Sequence, residues 1–200
     1  MKQIEVTTMV NMTLVKAVKI LESQGFKKIR ESRVEDLYLT TKINELKSDN
    51  ILEILASCVL LRYLKINNTQ VFKKITYKNK TYENGQFLTE EKINLNCDDL
   101  VKAENLFKAL GFEKLVKVKY DVLVMKKGHM ELAFQDVENL GLLLEYEHPD
   151  NFENISAKEI VKEKKKMIME IRNYQLNVSD NYDIKKAYEL IKRQLDNKCF

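Results

Sequence analysis

The sequence predicts an α+β fold: an eight-stranded antiparallel β-barrel with flanking helices and a two-fold internal repeat. Three observations predict it. Leu14-Val15-Lys16-Ala17 recurs as Leu100-Val101-Lys102-Ala103, and Gly25-Phe26 recurs as Gly111-Phe112, both at an offset of 86 residues. Much of the chain alternates apolar and polar residues with the period of two that marks a strand with one covered face. About eight such stretches occur, and closing them on one another removes two exposed edges. An open α+β sheet is the competing architecture. All 200 residues read as a single domain, with repeat halves of about 3–40 and 89–126 and C-terminal helices within 156–194.

Residues 3–10 read as a strand, because Ile4 and Val6 alternate with Gln3, Glu5 and Thr7. Thr13 is placed to cap a helix running to about Gln24, with Leu14, Ala17, Val18 and Leu21 as its apolar stripe and Gly25 as its stop. Phe26 to Thr40 reads as a long strand with Asp36 and Tyr38 on one face, and 41–50 as a polar loop. Leu52 to Ile66 is apolar enough for helix or strand, and its β-branched and aromatic content favours strand. Residues 71–78 follow as a strand, and Asn84-Gly85 signals a hairpin into a strand from about Gln86 to Leu95.

The second copy of the helix is capped by Asp98 or Asp99 and stops at Gly111. Strands Phe112 to Met125 and His129 to Asp136 flank a turn at Lys127-Gly128. Leu142 to Tyr146 is a short apolar strand that Pro149 is expected to end. Helices of roughly 156–173 and 183–194 finish the chain, the Lys162 to Lys166 run forming a solvated face and Ile160, Met167 and Ile171 part of a buried one.

Thirty-four basic and 30 acidic residues leave a formal charge of +4, too small a surplus to point to nucleic acid. Cys58, Cys97 and Cys199 make neither a disulfide framework nor a metal motif, which suits a reducing compartment. No secretory leader and no membrane-length apolar run is legible, so the expected location is the cytoplasm. His129 and His148 have no second partner in sequence, and no phosphate loop, dinucleotide fingerprint or nucleophile elbow occurs.

Two charged strand faces carry the candidate chemistry. In Glu145-Tyr146-Glu147, period two puts both carboxylates on one face, where they repel unless solvated or neutralised by a cation. The offset of 86 relates Glu5 to Glu91, which would extend the acidic cluster. Carboxylate oxygens suit Mg²⁺ or Mn²⁺. Arg62, Lys65, Lys73, Lys74, Lys78 and Lys80 form a basic stretch, in which alternation groups Lys74, Thr76 and Lys78. With Arg62 these lysines could grip phosphate oxygens; a solvated face is the competing reading for both sets.

Taken together, the pieces resemble the CYTH domain, or triphosphate tunnel metalloenzyme superfamily, from about residue 3 to residue 191. They are Gln3-Ile4-Glu5-Val6, Gly25-Phe26, Asp36-Leu37-Tyr38, Leu61-Arg62, Thr76-Tyr77-Lys78, Gly111-Phe112, Leu140-Gly141, Glu145-Tyr146-Glu147 and the stretch from Ser179 to Tyr182. The resemblance implies an eight-stranded tunnel, divalent metal on acidic residues and a triphosphate on basic ones. On this chain it implies Glu5, Glu91, Glu145 and Glu147 as metal ligands, with Glu145 and Glu147 as the catalytic pair. Arg62, Lys74, Lys78 and Lys119 are the implied phosphate ligands.

The chain departs from the family pattern at Gln3, Thr7, Leu64, Thr89 and Gln135, where charged residues are expected. Asp136 lies beside the metal-binding position, and only a one-residue bulge would turn it inward. The implied activity is hydrolysis of a short triphosphate such as tripolyphosphate or thiamine triphosphate. The alternatives are an adenylate cyclase-like conversion of ATP to cyclic AMP and pyrophosphate, and non-catalytic binding of a phosphorylated ligand. The expected partner is a triphosphate-containing small molecule, with no nucleic acid or membrane, in a monomer or homodimer.

Overall fold

A computed structural model describes the backbone of residues 2–83, 86–152 and 155–197, and their side chains except at 2, 3, 78–83, 86–92, 151 and 157. The elements in order are β1 (Lys2–Met9), α1 (Leu14–Ser23), β2 (Lys27–Thr40), α2 (Ile51–Ala56), β3 (Val59–Ile66), β4 (Gln70–Glu83) and β5 (Gln86–Asn96). Then come α3 (Leu100–Ala109), β6 (Glu113–Lys127), β7 (Met130–Val137), β8 (Gly141–Phe152), α4 (Ala157–Asn173) and α5 (Lys186–Asp196). The Asn84-Gly85 turn lies outside the described residues.

The chain divides into two compact units: Met1–Ser32 with Tyr120–Lys185, and Arg33–Lys119 with Lys186–Phe200. β2 and β6 contribute to both. No helix among the described residues is long and apolar enough to cross a membrane.

The eight strands hydrogen-bond in the order β1-β8-β7-β6-β2-β3-β4-β5, an open antiparallel sheet whose edges are β1 and β5. The closed barrel expected from the sequence is therefore wrong. On the β1 side the physical reason is visible within the first unit: the outward backbone groups of β1 are already used. Thr7 N donates to Tyr182 O (2.9 Å), Ile184 N to Thr7 O (3.1 Å), Ser179 N to Met9 O (3.0 Å) and Asn11 N to Asn177 O (2.7 Å). The segment before α5 thus satisfies the edge that another strand would need.

Two local expectations also change. Leu52 to Ile66 is not one strand: Ile51 and Ile54, one turn apart, bury a face of α2 before β3 begins at Val59. Pro149 does not end β8. The β1–β8 register jumps from Glu5↔Glu147 to Gln3↔Asn151, so the proline sits in an irregularity where no ladder N–H is required.

In the first unit, one sheet face packs on α1 and α4. Ile4, Val6, Leu132, Phe134, Leu144 and Tyr146 bury against Ala17, Leu21, Met167, Ile168 and Ile171. In the second unit a smaller core joins Leu39, Val59 and Leu61 to Ala103 of α3.

Candidate functional site

Tyr146 anchors the Glu-x-Glu pair. Its ring is buried on the helix side of β8, and its hydroxyl donates to Glu170 of α4 at 3.2 Å. Burial, then the Glu170 charge, raises the phenol above its ordinary range. With Tyr146 fixed on one face, alternation turns Glu145 and Glu147 to the other. There Glu147 pairs with Glu5 of β1, and Glu145 with Thr7. Carboxylate oxygens of Glu5, Glu145 and Glu147 lie within 4.8 Å of one another, and Thr7 Oγ1 donates to Glu5 at 3.4 Å.

Each pair of negative charges about 4 Å apart costs between about 1 and about 4 kcal/mol, for dielectrics from water to a protein surface. Glu145 is half-buried and Glu5 and Glu147 are exposed, so the cluster is open to an arriving ion. Three hard oxygen donors on two hydrogen-bonded strands fit a divalent cation that keeps water on its remaining positions.

Gln135 and Asp136 resolve as regular alternation predicts. β7 pairs with β6 and β8 without a register shift, so no bulge turns Asp136 inward; Asp136 lies opposite Asp121 and Leu142 and is exposed. Gln135 shares the face of Ala133, which pairs with Glu145, and is 4% exposed. A neutral amide therefore occupies the position next along from the carboxylates.

The basic set belongs to the second unit. Arg62 pairs with Lys74 across β3 and β4, and Leu60 with Thr76. The Arg62 guanidinium is held by a partner the sequence reading missed. Its Nε and Nη2 donate to Asp36 Oδ1 and Oδ2 at 2.7 and 2.6 Å, and Asp36 is 1% exposed. Such a two-pronged bond fixes the plane and direction of the guanidinium. The signal was an acid on the inner alternation of β2, but its partner is legible only once β2 and β3 are neighbours.

Lys119 is half-buried on β6. Two residues before it, Lys117 bonds Glu35 at 2.8 Å, and this bond holds the Glu35 carboxyl below its usual range, against the opposing effect of burial. The side chains of Lys78 and Glu91 lie outside the described residues; their backbones pair with Lys92 and Asn79. A cavity of 450 Å³ also opens in this unit beside α3, on the face of Leu37 and Leu61, with the Glu35–Lys117 and Glu104–Lys114 ion pairs in its wall.

No protein-family model matches the sequence. A candidate adenylate cyclase of Methanocaldococcus jannaschii is 29% identical over 173 residues, covering 86% of this chain and 89% of that protein. Among solved structures, the PH1012 protein of Pyrococcus horikoshii is 25% identical with a TM-score of 0.60, covering 94% of this chain and 99% of that one. These similarities point to the CYTH, or triphosphate tunnel metalloenzyme, superfamily, which the chain resembles as a divergent member. The same fold is seen in the PH1819 protein of P. horikoshii, at a TM-score of 0.68 and 17% identity over 96% of this chain and 99% of that one.

Proposed function

We propose that this protein binds a phosphorylated small molecule together with one divalent cation, Mg²⁺ or Mn²⁺, held by Glu5, Glu145 and Glu147. The observation that carries this reading is the gathering of three carboxylates from β1 and β8 within 4.8 Å. A bound cation would neutralise phosphate charge, the main requirement of phosphoryl chemistry. Arg62, Lys74, Lys78 and Lys119, all of the second unit, are the basic residues that the family resemblance would assign to phosphate, and Asp36 fixes the Arg62 guanidinium within that unit. Gln135 supplies no charge for a second cation, so one is the expected number.

The reaction this reading favours is cyclase-like, because the Methanocaldococcus jannaschii relative is named for that activity. The 3′-hydroxyl of ATP would attack the α-phosphorus, forming cyclic AMP as pyrophosphate leaves. Hydrolysis of tripolyphosphate or thiamine triphosphate is the second reading, and binding without turnover the third. One assay separates them: protein with Mg²⁺ or Mn²⁺ is given ATP, tripolyphosphate and thiamine triphosphate, and cyclic AMP, pyrophosphate and phosphate are measured. Cyclic AMP with equal pyrophosphate, lost in Glu145→Gln, supports the cyclase reading. Phosphate alone supports hydrolysis, and saturable binding without product supports the binder. Absence of both binding and turnover with all three compounds contradicts the proposal.

A further inference from the structure

The cavity beside α3 lies wholly within the second unit. Among the described residues, none assigned above to cation or phosphate lines it. Leu37 faces it, whereas Asp36, the next residue back along β2, faces the other way and bonds Arg62. Its 450 Å³ falls within the roughly 300–1,000 Å³ of small-molecule sites. Leu37, Leu61, Leu100 and Leu115 give it an apolar lining, and such sites are mostly apolar with a few placed polar groups.

The charges in its wall decide what sign of ligand it takes. Among the described residues they are Glu35, Glu104, Lys114 and Lys117, two acids and two bases. Each acid also has a second cation that is not part of the lining. Glu104 Oε1 takes Lys108 at 2.7 Å as well as Lys114 at 3.0 Å. Glu35 takes Lys117 at 2.8 Å, with the Arg33 guanidinium 3.8 Å away. The Lys108 bond, then that of Lys114, holds the Glu104 carboxyl below its usual range. A ligand cation would therefore compete with cations already in place at both acids. An anion needs only that Lys114 swing away from Glu104, which keeps Lys108. Glu104 stays beside the ligand's charge, and this disfavours a doubly charged end such as a phosphate ester.

We propose that this cavity binds a small amphipathic carboxylate, with its apolar body against Leu37 and Leu61 and its carboxylate on Lys114. The site is independent of the Glu5, Glu145 and Glu147 cluster and of any reaction there.

Isothermal titration of the full chain with octanoate, octanol and octylamine, without metal or nucleotide, tests it. The expected result is saturable binding of octanoate to one site per chain, about tenfold or more tighter than octylamine, because a charge-assisted bond is made only by the anion. Lys114→Ala should weaken octanoate about tenfold and leave octanol unchanged. Val101→Glu should also weaken octanoate, since Val101 lines the cavity. Val101 is 69% exposed in the first turn of α3, where an acid suits the helix, so this variant keeps the test open if Lys114→Ala is misfolded by circular dichroism. No saturable octanoate binding, equal affinity for octanoate and octylamine, or folded variants that bind octanoate as wild type does, overturns the proposal.

Discussion

The segments built on α1 and α3 share their helices, caps and stops and differ in the strands that precede them. Thr13 and Asp99 both cap their helices, Gly25 and Gly111 both stop them at φ of 89° and 84°, and the closing bonds match one for one. Phe26 N donates to Leu21 O at 3.0 Å as Phe112 N does to Phe107 O at 2.9 Å, and Gly25 N to Glu22 O as Gly111 N to Lys108 O, each at 3.0 Å. All of these are related by the offset of 86. The strands before the helices are not. Val6 faces α1 and Thr7 faces away, yet Ile93, which the offset sets against Thr7, lies on the α3 side. A strand displaced by an odd number of residues exchanges its faces. The offset therefore gives no ground for pairing Glu5 with Glu91. A helix with its cap and stop is specified locally, whereas strand register is set by partners that differ between the units.

Covering differs too, and so does charge. α1 and α4 share one core on the sheet of the first unit, while in the second unit Ala103 of α3 meets Leu39, Val59 and Leu61. The first unit gathers three acids within 4.8 Å, and the second matches its buried acid, Asp36, to Arg62.

The largest test of this contrast is packing. Leu21→Ala, at a fully buried position, should cost about 3–4 kcal/mol in urea unfolding. Leu106→Ala on α3, at a position 59% exposed, should stay within about 0.5 kcal/mol of wild type. Similar losses at both sites would mean that α3 is as well covered as α1.

Next is charge. Arg62→Ala strands the Asp36 carboxylate and should destabilise by about 2–3 kcal/mol, less than a fully buried pair because the guanidinium side chain is 35% exposed. Arg62→Lys should recover only part of the loss, since an ammonium cannot make the two-pronged bond. Full recovery would show that charge alone matters there.

The smallest effect concerns the caps. Thr13→Ala should cost about 1 kcal/mol at any pH. Asp99 has its carboxyl lowered chiefly by the Lys102 backbone N–H, with that of Val101 adding to it. A depressed folded pKa gives stability that is complete above the unfolded value of 3.8 and lost as pH falls through the folded one. Melts between pH 6 and pH 2 should therefore show Asp99→Asn losing its deficit against wild type on acidification, while the Thr13→Ala deficit persists.

What was legible in the sequence follows the same division. Thr13, Gly25, Asp99 and Gly111 act on backbone within a few residues; Thr13, Gly25 and Gly111 were legible outright, and Asp99 as one of the pair Asp98 and Asp99. Glu145 and Glu147 were legible because two-residue alternation fixes their common face whatever β8 pairs with. α2 was missed because its two buried isoleucines also suit a strand. Closure was misjudged because the group that occupies the β1 edge, residues 177–184, is remote in sequence and has no strand-like alternation. The Asp36–Arg62 bond was missed because it joins residues 26 apart on strands whose adjacency composition does not announce.

The central claim is that Glu5, Glu145 and Glu147 form a cation site in the first unit. Mn²⁺ titration followed by electron paramagnetic resonance, with thermal melts on the same samples, tests it most directly. The account predicts one Mn²⁺ per wild-type chain and a melting temperature that rises on binding. Glu145→Gln should neither bind Mn²⁺ at the concentrations that saturate wild type nor melt higher when it is added. Equal Mn²⁺ affinity in the two proteins would contradict the account.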